Sequence, residues 1–295
     1  MDTEFAATVL SVIEEGSIAG ASRRQGITAG AVALRLRAVE ALLGVKLFVR
    51  SGKAVVPTSE VMRLIEPLNE IVSLTADLSH LARGDGEVSG EVRLGTIATA
   101  STGLLPPFLF ELTRTYPALN ILIQPGTSVD LCERVRDGSL DAAIVVEPPA
   151  SLRKDEAFTP WVREPLVLIA PSALAGYDVD TLLKNEPFIR YDRRNWGGRI
   201  VDNWLKSHRV EVFSQIELDA LDGIVSMVSA GLGISIIPDW KGPRPEGVSV
   251  AIVPWADLKA ARIVGLYHRR QAKRQSLVDL LTPVFVMTCS PISGC

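Results

Sequence analysis

Apolar residues fall at helical spacing through the first 43 positions of the chain. Phe5, Val9, Val12 and Ile13 predict a helix over 2–15, which Glu14-Glu15-Gly16-Ser17 brings to an end. A short second helix follows from Ile18 to about Arg24. Gln25-Gly26-Ile27 then reads as a tight turn in which Gly26 can take positive φ. Thr28 is placed to cap a third helix that runs to Leu43 and stops at Gly44. Two short helices about a brief glycine-bearing turn have the spacing of a helix-turn-helix. The third helix shows an inward stripe of Val32, Leu36, Val39 and Leu43. Its opposite face carries Gly30, Leu34, Arg37 and Ala38, flanked by Ala33 and Arg35. Residues 45–58 read as strand, turn, strand: a wing with Lys53 near its tip, in reach of a backbone phosphate.

From Ser59 to about Ala82 a second helical stripe runs through Val61, Leu64, Ile65, Leu68, Ile71, Val72, Leu78 and Leu81, until Arg83-Gly84-Asp85-Gly86 ends it. Pro67 lies inside it and calls for a kink or a restart, because an interior proline removes a helical hydrogen bond. Beyond the linker, strands and helices alternate. Strands are expected at 91–97, 119–124, 142–146, 167–170, 188–191 and 234–238, with helices at 104–116 and 128–137. This order predicts a parallel-type α/β sheet with ligands near the carboxyl ends of strands, and its length suggests two lobes about a cleft. Residues 287–295 fit no periodic element.

Composition narrows the class. At 295 residues, 47% hydrophobic and 22% charged, the chain has a globular profile and room for about two domains. No apolar run is long enough to cross a bilayer, and acidic residues stand where a secretory signal has basic ones. The expectation is a cytoplasmic protein without a membrane partner. Cys132, Cys289 and Cys295 have no metal-ligand spacing, and no cofactor is expected. The net charge of -3 hides an asymmetry: Arg23 to Lys53 holds seven basic residues against Glu40, so the remainder is acidic. A compact basic segment beside a helix-turn-helix pattern suggests a polyanion-binding module, with double-stranded DNA as the partner.

The chain resembles the LysR-type transcriptional regulators. The resemblance is carried first by Glu15-Gly16-Ser17-Ile18, by Ile27-Thr28-Ala29-Gly30-Ala31-Val32, and by the run Ala38-Val39-Glu40-Ala41-Leu42-Leu43-Gly44-Val45-Lys46-Leu47-Phe48-Val49-Arg50. Farther on it is carried by Gly95-Thr96-Ile97-Ala98-Thr99, Tyr116-Pro117-Ala118-Leu119, Arg136-Asp137-Gly138-Ser139-Leu140-Asp141 and Ala230-Gly231-Leu232-Gly233-Ile234. The implied fold class is α/β with an N-terminal all-α winged helix-turn-helix. The implied effector domain is a two-lobed α/β fold like the periplasmic solute-binding proteins. Implied DNA contacts are Thr28, Ala29, Gly30, Ala33, Leu34 and Arg37, with Arg50 and Lys53 on the wing. The chain departs from the family pattern at Gln25, Ala29, Gly30 and Ala33. Ala29 leaves no amide for an adenine edge, so Leu34 or Ala33 on a thymine methyl, together with DNA shape, is expected to carry specificity. The implied domains are 1–58 (DNA binding), 59–86 (a linker helix that pairs with its copy) and 87–295 (effector binding). In the last, lobe I takes about 87–161 and 265–295, and lobe II about 162–264. A dimer or tetramer of this chain, and RNA polymerase, are the protein partners to expect.

Hydroxyls at strand-to-helix junctions are candidate effector contacts: Thr99, Ser101 and Thr102 in the first loop, Thr127 and Ser128 in the second. The family's cleft maps onto Thr99, Ser101 and Ser128. The segment Arg190-Tyr191-Asp192-Arg193-Arg194-Asn195-Trp196-Gly197-Gly198 reads as a basic, aromatic loop. Arg190 or Arg193 would clamp a carboxylate and Trp196 or Tyr191 would cover an apolar part, which favours a small organic anion as effector. No enzyme is read, because the histidines (His80, His208, His268) are scattered and no nucleophile elbow, zinc motif or phosphate loop occurs. The alternatives are a solute-binding receptor and a redox-sensing regulator that uses Cys132 beside Arg134 or Arg136.

Overall fold

The computed structural model describes residues 2–51, 54–65, 67–69, 71–72, 74–75, 88–272 and 274–288, with the side chains of 50, 51 and 54 excepted. The chain divides into two compact units, Met1–Glu91 and Val92–Cys295.

The first unit opens with α1 (Thr3–Glu15), α2 (Ile18–Gln25) and α3 (Ala29–Leu43). Each helix starts where a short polar side chain accepts from its first turn: Asp2 from Glu4 N–H, Ser17 from Gly20 N–H, Thr28 from Ala31 N–H. Each ends on a glycine in the left-handed region, Gly16, Gly26 and Gly44. Ala6, Val9, Val12, Ala21, Val32, Leu36, Val39 and Leu47 form the buried core. The expected inward stripe of α3 holds for its first three members, but Leu43 is 39% exposed because the helix end turns away from the core. The wing is the antiparallel pair β1 (Phe48–Ser51) and β2 (Ala54–Pro57), in register Phe48↔Pro57. Thr58 then caps α4 (Ser59–Met62).

Pro67 acts as its chemistry requires. Its ring would collide with the carbonyl of Arg63 in a continuous helix, and α4 stops one residue before, turning at Arg63-Leu64 and resuming helical backbone by Ile65. Val61 and Leu68 are buried in the core of the first unit, and Leu64, Ile71 and Val72 pack against it. Leu78, Leu81, His80 and the Arg83–Gly86 terminator lie outside the described residues.

The second unit continues with β3 (Gly90–Thr96), α5 (Ala98–Gly103), α6 (Leu105–Thr115), β4 (Leu119–Pro125), α7 (Ser128–Asp137), β5 (Ala142–Val146) and β6 (Glu156–Pro171). Then come α8 (Val179–Asn185), β7 (Ile189–Tyr191), α9 (Trp196–Ser207), β8 (Ile216–Leu218), α10 (Leu221–Ser229) and β9 (Ser235–Pro238). Strands β10 (Val250–Val253) and β11 (Ala261–Arg269) lead to α11 (Gln275–Val278) and α12 (Leu281–Thr288). Met287 therefore belongs to a helix rather than to an irregular tail, and 289–295 lie outside the described residues.

The sheet is mixed, which corrects the parallel-type expectation. β3 and β5 are parallel, but β11 runs antiparallel to both β5 and β6, and β6 is antiparallel to β9 and β10. The reason is β6 itself. Its first part, to Pro165, pairs with β11, and its remainder from Leu166 pairs with β9 and β10, so one 16-residue strand passes from one sheet half to the other. A bulge at Val264/Gly265 faces Pro160, which has no N–H to give the ladder. On one side the core stacks Trp161 on Phe285 at 4.0 Å, with Phe108 tilted against both. On the other it gathers Phe188, Ile224, Val228, Ile236 and Trp204.

Gln25, a departure from the resembling family, finds its partner inside the first unit. The Thr8 hydroxyl is fully buried, 2.9 Å from the Gln25 amide oxygen and 2.7 Å from the Glu4 carbonyl. Removing it with Thr8→Val leaves the amide without that partner and should cost about 1–2 kcal/mol. Chemical denaturation should show this loss, and Gln25→Leu in the same chain should recover most of it.

Candidate functional site

The outer face of α3 is built from residues that the unit's own packing does not need. Thr28, Ala29, Gly30 and Arg37 are exposed, Ala33 is half-buried, and Leu34 is 66% exposed. A Cβ at Gly30 would meet only the Thr28 hydroxyl, at 3.8 Å, so internal crowding does not demand its small size. A helix of this kind can enter a groove closely, with Leu34 as an apolar contact. Charge is edited by pairing. Arg24 pairs with Glu14 and Glu15, Arg35 with Glu4, and Lys46 with Glu40. Arg23 and Arg37 are exposed and have no ion-pair partner among the described residues. The Lys46 ammonium and the Leu47 and Phe48 N–H groups outweigh the burial of Glu40 and hold its carboxyl below the usual range. Arg50 lies on β1, but its side chain, like all of Lys53, is outside the described residues.

In the second unit the hydroxyl loops divide. Thr99, Ser101 and Thr102 lie within α5, a short helix absent from the sequence reading, rather than before the helix. It is separate because Pro106 and Pro107 cannot continue α5 and instead open α6. Thr102 donates to the Thr99 carbonyl, and Ser101 is half-buried. Thr127 caps α7 and bonds the Asp130 carboxylate, while buried Ser128 accepts from Val146 N–H at 3.1 Å. This second loop is spent on structure. Thr99 differs, because its hydroxyl accepts at 3.0 Å from Arg262.

No local motif announces Arg262 in the sequence. It is 1% exposed, its Nε lies 2.6 Å from Glu164 Oε2, and it donates to the Tyr191 hydroxyl at 3.4 Å. The guanidinium thus joins α5 and β7 across the junction of β6 with β11. Burial pushes the Tyr191 hydroxyl up, so it keeps its proton. Neither that proton nor that of the Thr99 hydroxyl has an acceptor among the described residues. At the end of α5, a Cβ added to Gly103 would collide with the Lys241 carbonyl, so the helix end and the segment after β9 lie backbone to backbone.

Arg190 and Arg193 do not join this group. Arg190 bonds Asp202 at 3.2 Å and lies over Phe188, and Arg193 grips Glu217 through Nε and Nη2. The alternation of β7 explains this: Tyr191 faces Arg262, so Arg190 faces the other way. Trp196 is half-buried at the start of α9, which corrects the expected loop through 190–198.

Cys132 is fully buried, and burial pushes its thiol up to about 12 despite nearby Arg136. Its thiolate is therefore negligible near neutral pH, which argues against a redox role. In the native protein at pH 8, mass spectrometry after a brief iodoacetamide pulse should find the Cys132 peptide unmodified. It should become labelled only on denaturation; rapid native labelling would contradict the burial.

No described helix is long and apolar enough to cross a membrane, and no metal-holding cluster occurs among the described residues. Residues 5–61 match the family described as bacterial regulatory helix-turn-helix protein, lysR family, and residues 85–285 match the LysR substrate binding domain. The uncharacterized HTH-type transcriptional regulator YfeR of Shigella flexneri is 28% identical over 249 residues, covering 82% of this chain and 80% of that protein. Among solved structures, CbnR complexed with its target DNA is similar at TM-score 0.67 and 17% identity, covering 98% of this chain and 100% of that one. A mutant of Corynebacterium glutamicum OxyR is similar at TM-score 0.64 and 22% identity, over 97% and 92% of the two chains. These structural likenesses speak for the fold, and the two family matches together take in both units: the chain belongs to the LysR family of helix-turn-helix transcriptional regulators.

Proposed function

We propose that this regulator reads duplex DNA with the exposed face of α3 and answers to a small organic anion held beside Arg262. The observation that carries the DNA reading is the outer face of α3: Leu34 exposed, Arg37 unpaired among the described residues, and Gly30 uncrowded. Thr28, Ala29, Gly30 and Ala33 let the helix sit deep in the major groove, Leu34 meets a thymine methyl, and Arg37 meets a phosphate or guanine edge. Arg50 and Lys53 serve the wing. Two such units act as a pair through residues 59–86, in a dimer or tetramer bound to a dyad-symmetric site, with RNA polymerase as the partner at the promoter.

The effector reading rests on two unspent hydroxyl protons beside one buried guanidinium. An anionic oxygen accepts from the Thr99 and Tyr191 hydroxyls while Arg262 supplies the positive field, Glu164 having already satisfied part of the guanidinium. Ser101 and Thr102 line the same helix. Such a ligand changes DNA binding only if it favours one arrangement of the sheet halves over the other.

On a duplex obtained by in vitro selection, Leu34→Ala should weaken binding about 10-fold and leave the salt dependence unchanged, as an apolar contact requires. If Arg37 meets a phosphate, Arg37→Ala should lower the slope of log affinity against log salt by about 1 per subunit. Fluorescence anisotropy at several salt concentrations reads both, and two variants without effect would refute the α3 assignment. For the effector, Thr99→Val and Tyr191→Phe should each reduce the reporter response to the inducing metabolite about 10-fold, with DNA affinity in its absence unchanged.

A further inference from the structure

Basic residues that take no part in the Arg262 group form a site of their own. A cavity of about 620 Å³ opens between the loop that follows β7, α9 and β8, within the size range of small-molecule pockets. One wall is the face of α9 that repeats at helical spacing: Arg199, Asp202, Asn203 and Lys206. Facing it are Arg193 and Arg194 from the preceding loop and Glu217 from β8. Four cations and two carboxylates therefore line one concavity.

Each carboxylate is already committed. Arg193 holds Glu217 and draws its carboxyl down to about 2, so it remains ionised and locked to that arginine. Asp202, at the base of the bowl, accepts from Arg190 at 3.2 Å and from Lys206 at 2.6 Å. Asp192 neutralises Arg194 on one edge of its guanidinium, leaving that side chain 90% exposed. Arg199 has no ion-pair partner among the described residues and only a long contact to the Arg193 carbonyl, 3.4 Å. The acids thus fix the cations in place and leave their outer donors free.

The background sharpens the contrast. Val92–Cys295 contains 22 basic and 22 acidic residues, so this cationic bowl lies on a neutral body.

We propose that this bowl is a second ligand site, distinct from the one beside Arg262, and that it takes a small molecule bearing two or more negative charges, of the phosphorylated or polycarboxylate class. Arg199 and Lys206 make the principal contacts, and the outer edges of Arg193 and Arg194 complete the ring of donors.

Pyrophosphate is the probe. Isothermal titration of the full-length protein, with sodium chloride at matched ionic strength as the control, should give saturable binding at one site per subunit. The double charge reversal Arg199→Glu/Lys206→Glu should weaken that binding at least 10-fold. Both side chains are exposed, and an unchanged circular dichroism melt would show that the fold is intact. Arg23→Ala/Arg37→Ala, which strips open cations from the DNA-reading unit, should leave the isotherm as in the wild type. The proposal is overturned by a lack of saturable heat in the wild type, by binding that survives the charge reversal, or by binding that disappears in the Arg23→Ala/Arg37→Ala protein. A titration with citrate separates the sources: binding of both anions marks a general polyanion site, and binding of pyrophosphate alone restricts the ligand to the phosphorylated class.

Discussion

A guanidinium with 1% exposure has to be satisfied on all sides, and the way Arg262 is satisfied organises the second unit. Glu164 meets it from the neighbouring strand, Tyr191 from β7 and Thr99 from α5. These groups come from both sheet halves, so the halves cannot move independently without exposing or stranding a charge. On the proposed reading, an anion that accepts from the Thr99 and Tyr191 hydroxyls adds to contacts that already span the junction. The close approach of Gly103 to Lys241 adds a steric limit to the same arrangement.

Charge is sorted more finely than a net value shows. The acidity that offsets the basic stretch from Arg23 to Lys53 lies within the first 91 residues, whereas the second unit is neutral, so the basic reader is not joined to an acidic sensor. Within the reader, Glu4, Glu14, Glu15 and Glu40 neutralise Arg35, Arg24 and Lys46, leaving Arg23 and Arg37 unpaired among the described side chains of that stretch. Exposed pairs of this kind add little stability, but they select which cations remain for phosphates. In the second unit the alternation of β7 performs a similar sorting, sending Tyr191 to the junction and Arg190 to the opposite face.

The first unit was largely legible in the sequence, because its helices are announced by local chemistry: a capping Asp2, Ser17 or Thr28 at one end and a left-handed glycine at the other. In the second unit the apolar strand Ala142–Val146 was legible, and so were β3, β4, α6 and α7, each within a residue or two of its expected range. The first part of β6 escaped notice because Glu156, Arg163 and Glu164 interrupt the pattern and Pro160 and Pro165 read as breaks; its pairing with β11 is non-local. Arg262 was hidden for the same reason. Its partners Glu164, Tyr191 and Thr99 stand 98, 71 and 163 residues away, a constellation no local motif announces. Conversely, Thr127 and Ser128 looked like ligand groups because capping and ligand binding draw on the same residue types.

A paired reader, as proposed, sets its α3 helices in successive major grooves. Genome-wide mapping of sites bound by the full-length protein tests this most directly. It should return a motif with dyad symmetry whose half-sites are separated by about one helical turn of DNA or a multiple of it. A map without enrichment over input, or a single unrepeated half-site throughout, would contradict it.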